Sequence, residues 1–194
     1  MSLFEGGTLR LNQNNATYSF DFSLNGANTN TIDAAGLTST FSGSFSNTSN
    51  QTGTINIQDS VGGGSVIFSG VNTYTGNTSI NSGNLIVQGG AALLDTGTVT
   101  LTNSNATFTI GTSETIGSLQ GGGTTAINTG QTLTIAQTGN ATYGGAITGA
   151  GALTKNGTGT LTLSGTNTYS GNTSINGGNL IVQGGAAVLD TGTV

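Results

Sequence analysis

The sequence predicts an all-β tandem-repeat solenoid, and three observations support that fold class. Gly70–Val99 and Gly165–Val194 are identical at 26 of 30 positions, at an offset of 95 residues. Glycine supplies 35 residues and charged side chains only 5% of the chain, whereas typical soluble domains carry about 25% charged residues. Uncharged Thr, Ser and Asn between small apolar residues favour β-strands, and Gly and Asn favour the turns between them.

The repeat extends beyond this near-identical segment. A weaker match relates Gly7–Tyr18 to Gly97–Phe108 at an offset of 90 residues. We therefore interpret residues 1–194 as one continuous segment, with repeat unit A at about 7–96, repeat unit B at about 97–191 and the start of a third unit at 192–194. Such an ending is typical of a slice of a longer array, so we expect a fragment.

Short alternating segments such as Thr98–Thr102 and Gln131–Ala136 predict strands, and their starts recur roughly every 8–12 residues. Sandwich repeats and a β-solenoid both give that spacing. The solenoid is favoured because aromatic residues make up only 6% of the chain, proline is absent and the apolar residues are small enough to stack. With roughly 20–25 residues per coil, the chain makes about eight or nine coils.

The composition excludes several classes of function. Without His or Cys, the chain has no Ser-His or Cys-His nucleophile, zinc site or disulfide framework. Arg10 and Lys155 are the only cations, so nucleic acid is not an expected partner. We expect no cofactor and no metal. The N-terminus lacks the basic and apolar regions of a signal peptide, so any export signal is expected outside this chain.

Residues 153–180 carry a recognisable motif, L-T-K-N-G-T-G-T-L-T-L-S-G-T-N-T-Y-S-G-N-T-S-I-N-G-G-N-L. It resembles the autotransporter-associated β-strand repeat, also called the passenger-associated transport repeat. A second copy covers Gly64–Leu85, with Val66-Ile67-Phe68 in place of L-T-L and without the T-K-x-G stretch. The structural positions of the motif in the two copies are Gly70, Asn72, Tyr74, Gly76 and Ile80, and Gly165, Asn167, Tyr169, Gly171 and Ile175.

The resemblance implies a right-handed, single-stranded parallel β-helix in the passenger of a type V secreted protein. It implies a scaffold that assists secretion and folding and presents adhesive or effector regions at the bacterial cell surface, after export through the outer membrane. The implied partners are other repeats of the same passenger and a host-cell or neighbouring-cell surface. A translocator barrel is expected elsewhere in the parent protein, and no catalytic residue is implied.

The alternative function is a binding module, an adhesin or an ice-binding face, that uses exposed Thr, Asn and Tyr ladders. Two of these ladders have structural explanations that we favour. Tyr74 and Tyr169 are expected to pack at coil corners with bonded hydroxyls, and outward-facing threonine is ordinary on strands. The Thr-x-Thr pairs are Thr98/Thr100/Thr102, Thr107/Thr109, Thr132/Thr134 and Thr158/Thr160/Thr162, and the Asn positions expected to form amide ladders are Asn77, Asn81, Asn84, Asn172, Asn176 and Asn179.

The most tempting catalytic motif is Asp95-Thr96-Gly97, repeated as Asp190-Thr191-Gly192. Aspartic proteases use this tripeptide after an apolar strand, with two carboxylates sharing one proton. A stack places the two copies about four coils, roughly 20 Å, apart. We therefore interpret each as a turn in which Asp caps backbone N–H groups. The remaining acidic residues are scattered, and we expect no enzyme.

Overall fold

The chain forms a parallel β-solenoid of about nine turns, which confirms the predicted fold class. The computed structural model describes residues 2–26 and 28–183. The end of the repeated segment, including Asp190-Thr191-Gly192 and the start of the third unit, lies outside these residues. Every regular element in the described part of the chain is a strand. A search of the same residues for a helix able to cross a membrane found none.

Each coil contributes one strand to a nine-stranded sheet, the first face of the solenoid. Its strands are β2 (Gly7–Arg10), β5 (Thr29–Asp33), β8 (Thr54–Gln58), β10 (Thr78–Ile80), β12 (Thr98–Leu101), β15 (Ser118–Gly121), β18 (Ala141–Tyr143), β21 (Thr160–Leu163) and β23 (Asn179–Val182). The second face is a seven-stranded sheet. It contains β3 (Ala16–Tyr18), β6 (Thr38–Phe41), β9 (Ser65–Phe68), β11 (Gly83–Val87), β13 (Ala106–Ile110), β16 (Thr124–Ile127) and β19 (Ala146–Gly149).

The third face is divided into a three-stranded and a four-stranded sheet. The first contains β1 (Ser2–Phe4), β4 (Phe22–Leu24) and β7 (Phe45–Asn47), and the second contains β14 (Glu114–Ile116), β17 (Thr132–Ala136), β20 (Ala152–Asn156) and β22 (Thr173–Ile175). Two coils cross the space between these sheets without a strand. Hydrogen bonds nevertheless continue through it, from Thr73 N–H to Phe45 O at 2.9 Å and from Asn72 N–H to Ala91 O at 3.2 Å.

The core lies inside the three faces, because alternate strand residues point inward. Inward residues of like shape stack directly in register. On the nine-stranded sheet, Ile80 pairs with Ile57 on one side and with Leu101 on the other, and all three are at most 1% exposed. Each coil thus buries its apolar residues against the coils before and after it, which is how a solenoid builds a continuous core.

The coils become smaller along the chain. Leu9 pairs with Ile32, 23 residues later, whereas Leu163 pairs with Val182, only 19 residues later. Six of the seven phenylalanines fall before residue 70, and their rings contact one another inside the wider coils. Phe22 and Phe45, for example, stack with centroids 5.0 Å apart and planes 5° apart. Clustered phenylalanines therefore fill the wider coils, whereas Ile, Leu and Val fill the narrower ones together with single aromatic side chains such as Phe108 and Tyr143.

Candidate functional site

The tyrosine of the first motif copy lies inside the solenoid. Tyr74 is 1% exposed, and its hydroxyl lies 2.5 Å from Thr78 Oγ1. Its backbone N–H donates to Phe45 O in the preceding coil at 3.2 Å. Burial raises the pKa of Tyr74 above its ordinary value, more strongly than the Thr78 hydrogen bond lowers it. The phenol is therefore neutral, and its function at this position is structural.

The tyrosine of the second copy has the same environment. Tyr169 is also 1% exposed, and its hydroxyl lies 2.6 Å from Thr173 Oγ1. Its N–H donates to Ile147 O at 3.2 Å. The predicted buried position with a bonded hydroxyl is confirmed for both residues. The alternative in which Tyr74 and Tyr169 form an exposed contact ladder is wrong, because both side chains are needed to fill their coils.

The motif asparagines hydrogen-bond each copy to the preceding coil. Asn72 Oδ1 accepts from Phe45 N–H at 2.7 Å, and Asn167 Oδ1 accepts from Ile147 N–H at 2.8 Å. Asn72 Nδ2 then donates to Ala92 O in the following coil at 2.7 Å, whereas Asn167 Nδ2 donates to Gly165 O within its own turn at 3.1 Å. Both side chains are at most 5% exposed. An amide suits this position because it offers an acceptor and a donor together.

The motif glycines lie where backbones of successive coils approach most closely. A Cβ on Gly70 would overlap the carbonyl oxygen of Gly43, and one on Gly165 would overlap that of Gly145. The same relation holds between Gly76 and Gly53 and between Gly171 and Gly151. Glycine is thus required at these four motif positions by the lack of space for a side chain, and none of the four has a positive φ.

The two copies lie on different faces of the solenoid. In the first, Asn72–Tyr74 crosses the third face, and Ile80 ends β10 in the nine-stranded sheet. In the second, Asn167–Tyr169 covers β19 of the seven-stranded sheet, and Ile175 ends β22 in the four-stranded sheet. The equivalent strands of the two copies are β10 and β22. Five full coils from β10 would lead to β23, and β22 lies on the face just before it. The repeat is therefore one face shorter than five coils.

The buried carboxylate of Glu114 links two coils on the third face. Glu114 is 2% exposed, and its two oxygens accept from Leu93 N–H at 2.9 Å and from Ala92 N–H at 3.2 Å. Burial raises the pKa of Glu114 to about 6, although these two N–H groups favour the charged form and Asp95 disfavours it. Together with Asn72, this side chain satisfies backbone groups where the strands are interrupted. Sequence reasoning missed this role, because only the stacking brings the residues together.

Lys155 is an unexpected member of an isoleucine ladder. In the four-stranded sheet it pairs with Ile135 on one side and Ile175 on the other, and it is 0% exposed. Its Nζ donates to the carbonyl oxygens of Asn156, Gly157 and Gly177 at 2.6, 3.1 and 3.3 Å. Burial lowers the pKa of Lys155. The stem therefore fills the core while the ammonium binds corner carbonyls of two successive coils.

Two aspartates bind backbone N–H groups at the corner between the first and second faces. Asp59 accepts from Gly64 N–H at 2.6 Å and, one coil back, from Gly36 N–H at 2.7 Å. Burial opposes ionisation of Asp59, but these hydrogen bonds outweigh it and lower its pKa. Asp33 accepts from Ser60 in the next coil and lies 3.8 Å from Arg10 Nε. These carboxylates stabilise coil corners.

The Asp95-Thr96-Gly97 motif forms a turn, as predicted. Gly97 N–H donates to Leu94 O at 2.8 Å, which closes the turn before β12. The predicted cap by the Asp95 side chain is not observed among the described residues. In the same part of the chain, no three His, Cys, Asp or Glu side chains group as metal ligands do. The second copy, Asp190-Thr191-Gly192, lies outside the described residues.

The Thr-x-Thr pairs do not form one array. Thr98 and Thr100 lie on the nine-stranded sheet, and Thr160 and Thr162 lie on the same sheet but three strands away. Thr107 and Thr109 lie on the seven-stranded sheet, and Thr132 and Thr134 lie on the four-stranded sheet. Each pair faces outward between buried residues, as ordinary strand threonines do. An ice-binding face would require the pairs in register on one flat sheet, so this arrangement disfavours it.

The predicted asparagine ladders are mostly wrong. Asn84 Oδ1 accepts from the Thr109 hydroxyl at 2.9 Å, and Asn179 Nδ2 contacts Thr160 Oγ1 at 3.5 Å, so these amides bond to threonine. A direct contact between amides of successive coils joins Asn176 Nδ2 to Asn156 Oδ1 at 3.0 Å. Asparagines at repeat-related positions lie almost five coils apart and so cannot contact one another, and the neighbouring coils mostly offer threonine or backbone at these sites.

The fold and the buried motif define a class, a parallel β-solenoid built from a recurring coil-forming repeat. Residues 61–87 and 153–182 match the passenger-associated-transport-repeat family, which confirms the resemblance at these two stretches. A repeat of this family suggests a scaffold segment of an autotransporter passenger and implies export. Searches of curated proteins and of solved structures found no match to the chain.

Proposed function

We propose that the chain is a structural segment of a secreted bacterial passenger, which assists export and folding and carries adhesive or effector regions at the cell surface. The observation that supports this most is the position of the motif residues. In both matched stretches, the Asn and Tyr side chains are buried and bonded, and the Gly residues allow close backbone contact. The repeat therefore specifies coil formation. We also propose that the segment is not an enzyme.

The hydrogen-bonding pattern suits folding during export. Strand partners lie about one coil apart in sequence, as with Thr98 and Ser118 or Leu161 and Leu180. Each coil can therefore form as soon as the preceding one is in place, without waiting for distant segments. The chain carries only nine charged residues and no cysteine. It can therefore pass through a narrow pore in the unfolded state, because no disulfide bond holds parts of it together. Folding of one coil after another outside the membrane would then prevent the exported chain from sliding back through the pore.

The proposal can be tested by deleting coils from the chain within an autotransporter that exports it. Thr98 pairs with Ser118 in the next coil, so the two residues hold equivalent positions in the nine-stranded sheet. Removing residues 98–117 takes out one complete coil and puts Ser118 in the place of Thr98. Removing residues 98–107 instead takes out about half a coil and breaks the register. We expect protease-accessible surface protein to persist with the first deletion and to fall strongly with the second. Equal surface yields for both deletions would contradict a role of coil folding in export.

A further inference from the structure

The nine-stranded sheet carries a line of polar side chains at its border with the third face. One residue of each of six successive coils contributes to it, namely Thr29, Thr54, Asn77, Thr98, Ser118 and Asn140. At about 4.8 Å per coil, the line extends roughly 24 Å parallel to the solenoid axis. All six side chains end in a hydroxyl or an amide.

Two grooves lie along this line. The first, of about 380 Å³, is lined by Thr29, Thr54 and Asn77 together with Asn56, Ser79 and Asn81. The second, of about 280 Å³, is lined by Thr98, Ser118 and Asn140 with neighbouring residues that include Gln120 and Gln137. None of the residues that line either groove is charged. The two grooves therefore offer the same chemistry at consecutive positions on one face.

The first groove also contains a buried acceptor that lacks a partner. Among the described residues, Asn56 Oδ1 and Gln137 Oε1 are the two buried side-chain atoms without a hydrogen bond. Asn56 is 7% exposed and points out of the sheet, because its neighbours Ile55 and Ile57 point inward. Gln137 is 2% exposed and continues the inward alternation of Leu133 and Ile135, and its Nε2 donates to Gly139 O and Thr160 O. Its unpaired Oε1 therefore does not count toward the second groove. An unpaired buried acceptor is costly unless a ligand supplies a donor.

We propose that this line of grooves binds a linear, neutral glycan that runs parallel to the solenoid axis. Hydroxyl and amide side chains can donate to and accept from sugar hydroxyls, and an O–H of the ligand would supply the missing donor to Asn56. An extended sugar chain advances by a distance comparable to the spacing of the coils. An anionic polymer would gain nothing here, because the grooves are uncharged and the net charge of the chain is −5.

The experiment is a titration of the full chain with neutral cello-, xylo-, manno- and chitohexaose, followed by calorimetry or ligand-observed NMR. Hexagalacturonate serves as the anionic comparison. We expect at least one neutral hexaose to bind with a dissociation constant in the micromolar-to-millimolar range, and hexagalacturonate to bind at least tenfold more weakly. The proposal is overturned if none of the neutral hexaoses binds, or if hexagalacturonate binds as well as they do.

Matched variants identify the binding face. Thr98→Val lies in the groove and Thr107→Val lies on the seven-stranded sheet in the same coil, and both replace half-buried, outward threonines. We expect Thr98→Val to weaken binding at least fivefold and Thr107→Val to leave it unchanged. Equal effects of the two variants would overturn the assignment.

Asn56→Leu supplies a second readout that a purely structural residue would not give. This variant removes the unpaired acceptor at nearly constant volume and loses only the long hydrogen bond from Asn56 Nδ2 to Thr31 Oγ1, at 3.4 Å. It should therefore raise the thermal midpoint of the free protein while it weakens glycan binding at least tenfold. Retention of full binding by Asn56→Leu would contradict the role of this acceptor.

Discussion

The motif copies at residues 70–80 and 165–175 have nearly the same sequence but lie on different faces of the solenoid. Their local contacts are nevertheless alike: the Asn accepts from the preceding coil, the Tyr is buried against a Thr hydroxyl, and both Gly residues touch backbone. The comparison teaches that the motif specifies a segment that crosses one face from corner to corner and bonds to the coil before it. It does not specify which of the three faces that segment crosses.

The largest expected effect tests whether the two motif copies are energetically equivalent. Tyr74→Ala and Tyr169→Ala each remove a fully buried ring, so each should lower the free energy of unfolding by about 3–5 kcal/mol. Tyr→Phe at either position loses only the hydroxyl contact with threonine and should cost about 1 kcal/mol. Chemical denaturation of the four variants measures these differences. A large loss for one Tyr→Ala variant and a negligible loss for the other would break the equivalence.

The next effect concerns the close backbone contacts. Gly70→Ala and Gly165→Ala place a methyl group against a carbonyl oxygen of the preceding coil, and the required backbone shift should cost about 3 kcal/mol. Gly122→Ala is the control, since a Cβ there meets nothing within 4 Å and its φ is not positive. Thermal melting should show both motif variants well below the control. Unchanged melting of Gly70→Ala would show that the coils can separate without cost.

The asparagines should show where the two copies differ. Asn72 bonds to both the preceding and the following coil, whereas Asn167 bonds to the preceding coil and to its own turn. We expect Asn72→Ala to lower stability by about 2–3 kcal/mol, since it leaves backbone groups of two coils unpaired. Asn167→Ala should cost less. A greater loss for Asn167→Ala, measured by denaturation, would reverse this ranking.

The smallest expected effect is a pH dependence of the free energy of unfolding that arises from Glu114, which bonds to the coil that also contacts Asn72 of the first copy. Burial raises the pKa of Glu114 from 4.5 to about 6, so the folded state binds its proton more tightly than the unfolded state. The contribution of this group is greatest below pH 4.5, and about 2 kcal/mol is lost as the pH rises through 6. Denaturation between pH 4 and 7 measures this slope.

Glu114→Gln should flatten that slope, because the amide does not titrate in this range. Glu5→Gln is the matched control, since Glu5 is an exposed carboxylate in the first coil, and it should leave the slope unchanged. A slope that persists in Glu114→Gln would assign the pH dependence to another group. Burial opposes ionisation of Asp33 and Asp59, but hydrogen bonds outweigh it and lower their pKa values. These two groups therefore stabilise the fold when charged, and their contribution is lost as the pH falls below the range of the Glu114 effect.

Several parts of the structure could be predicted from residue patterns alone. Alternation in segments such as Thr98–Leu101 predicts strands with one face inward, because the period of a strand is two residues. The recurring Asn-Thr-Tyr-x-Gly motif predicted a buried tyrosine with a bonded hydroxyl, and the structure has one at Tyr74 and at Tyr169. These features depend on neighbours close in sequence, and a short pattern contains enough information to specify them. The predicted corner position is wrong, because both tyrosines lie on segments that cross a face.

Other parts were decided by stacking. The motif glycines were expected to serve turns, but Gly70 and Gly165 are required because backbone one coil earlier leaves no room for a side chain. The Thr-x-Thr pairs were a possible single array, but Thr98 and Thr107 lie on different faces of one coil and Thr132 lies on the third face. A sequence read in one dimension does not show how many residues each coil takes.

The sequence by itself determined the strands, the solenoid class and the recurring motif with its buried tyrosine. Only the tertiary structure decided that Glu114 satisfies Ala92 and Leu93, that Lys155 enters an isoleucine ladder and that uncharged grooves align on the nine-stranded sheet. The physical reason is the same in each case. Strand identity depends on local alternation, whereas lateral neighbours depend on the cumulative length of every coil that comes before.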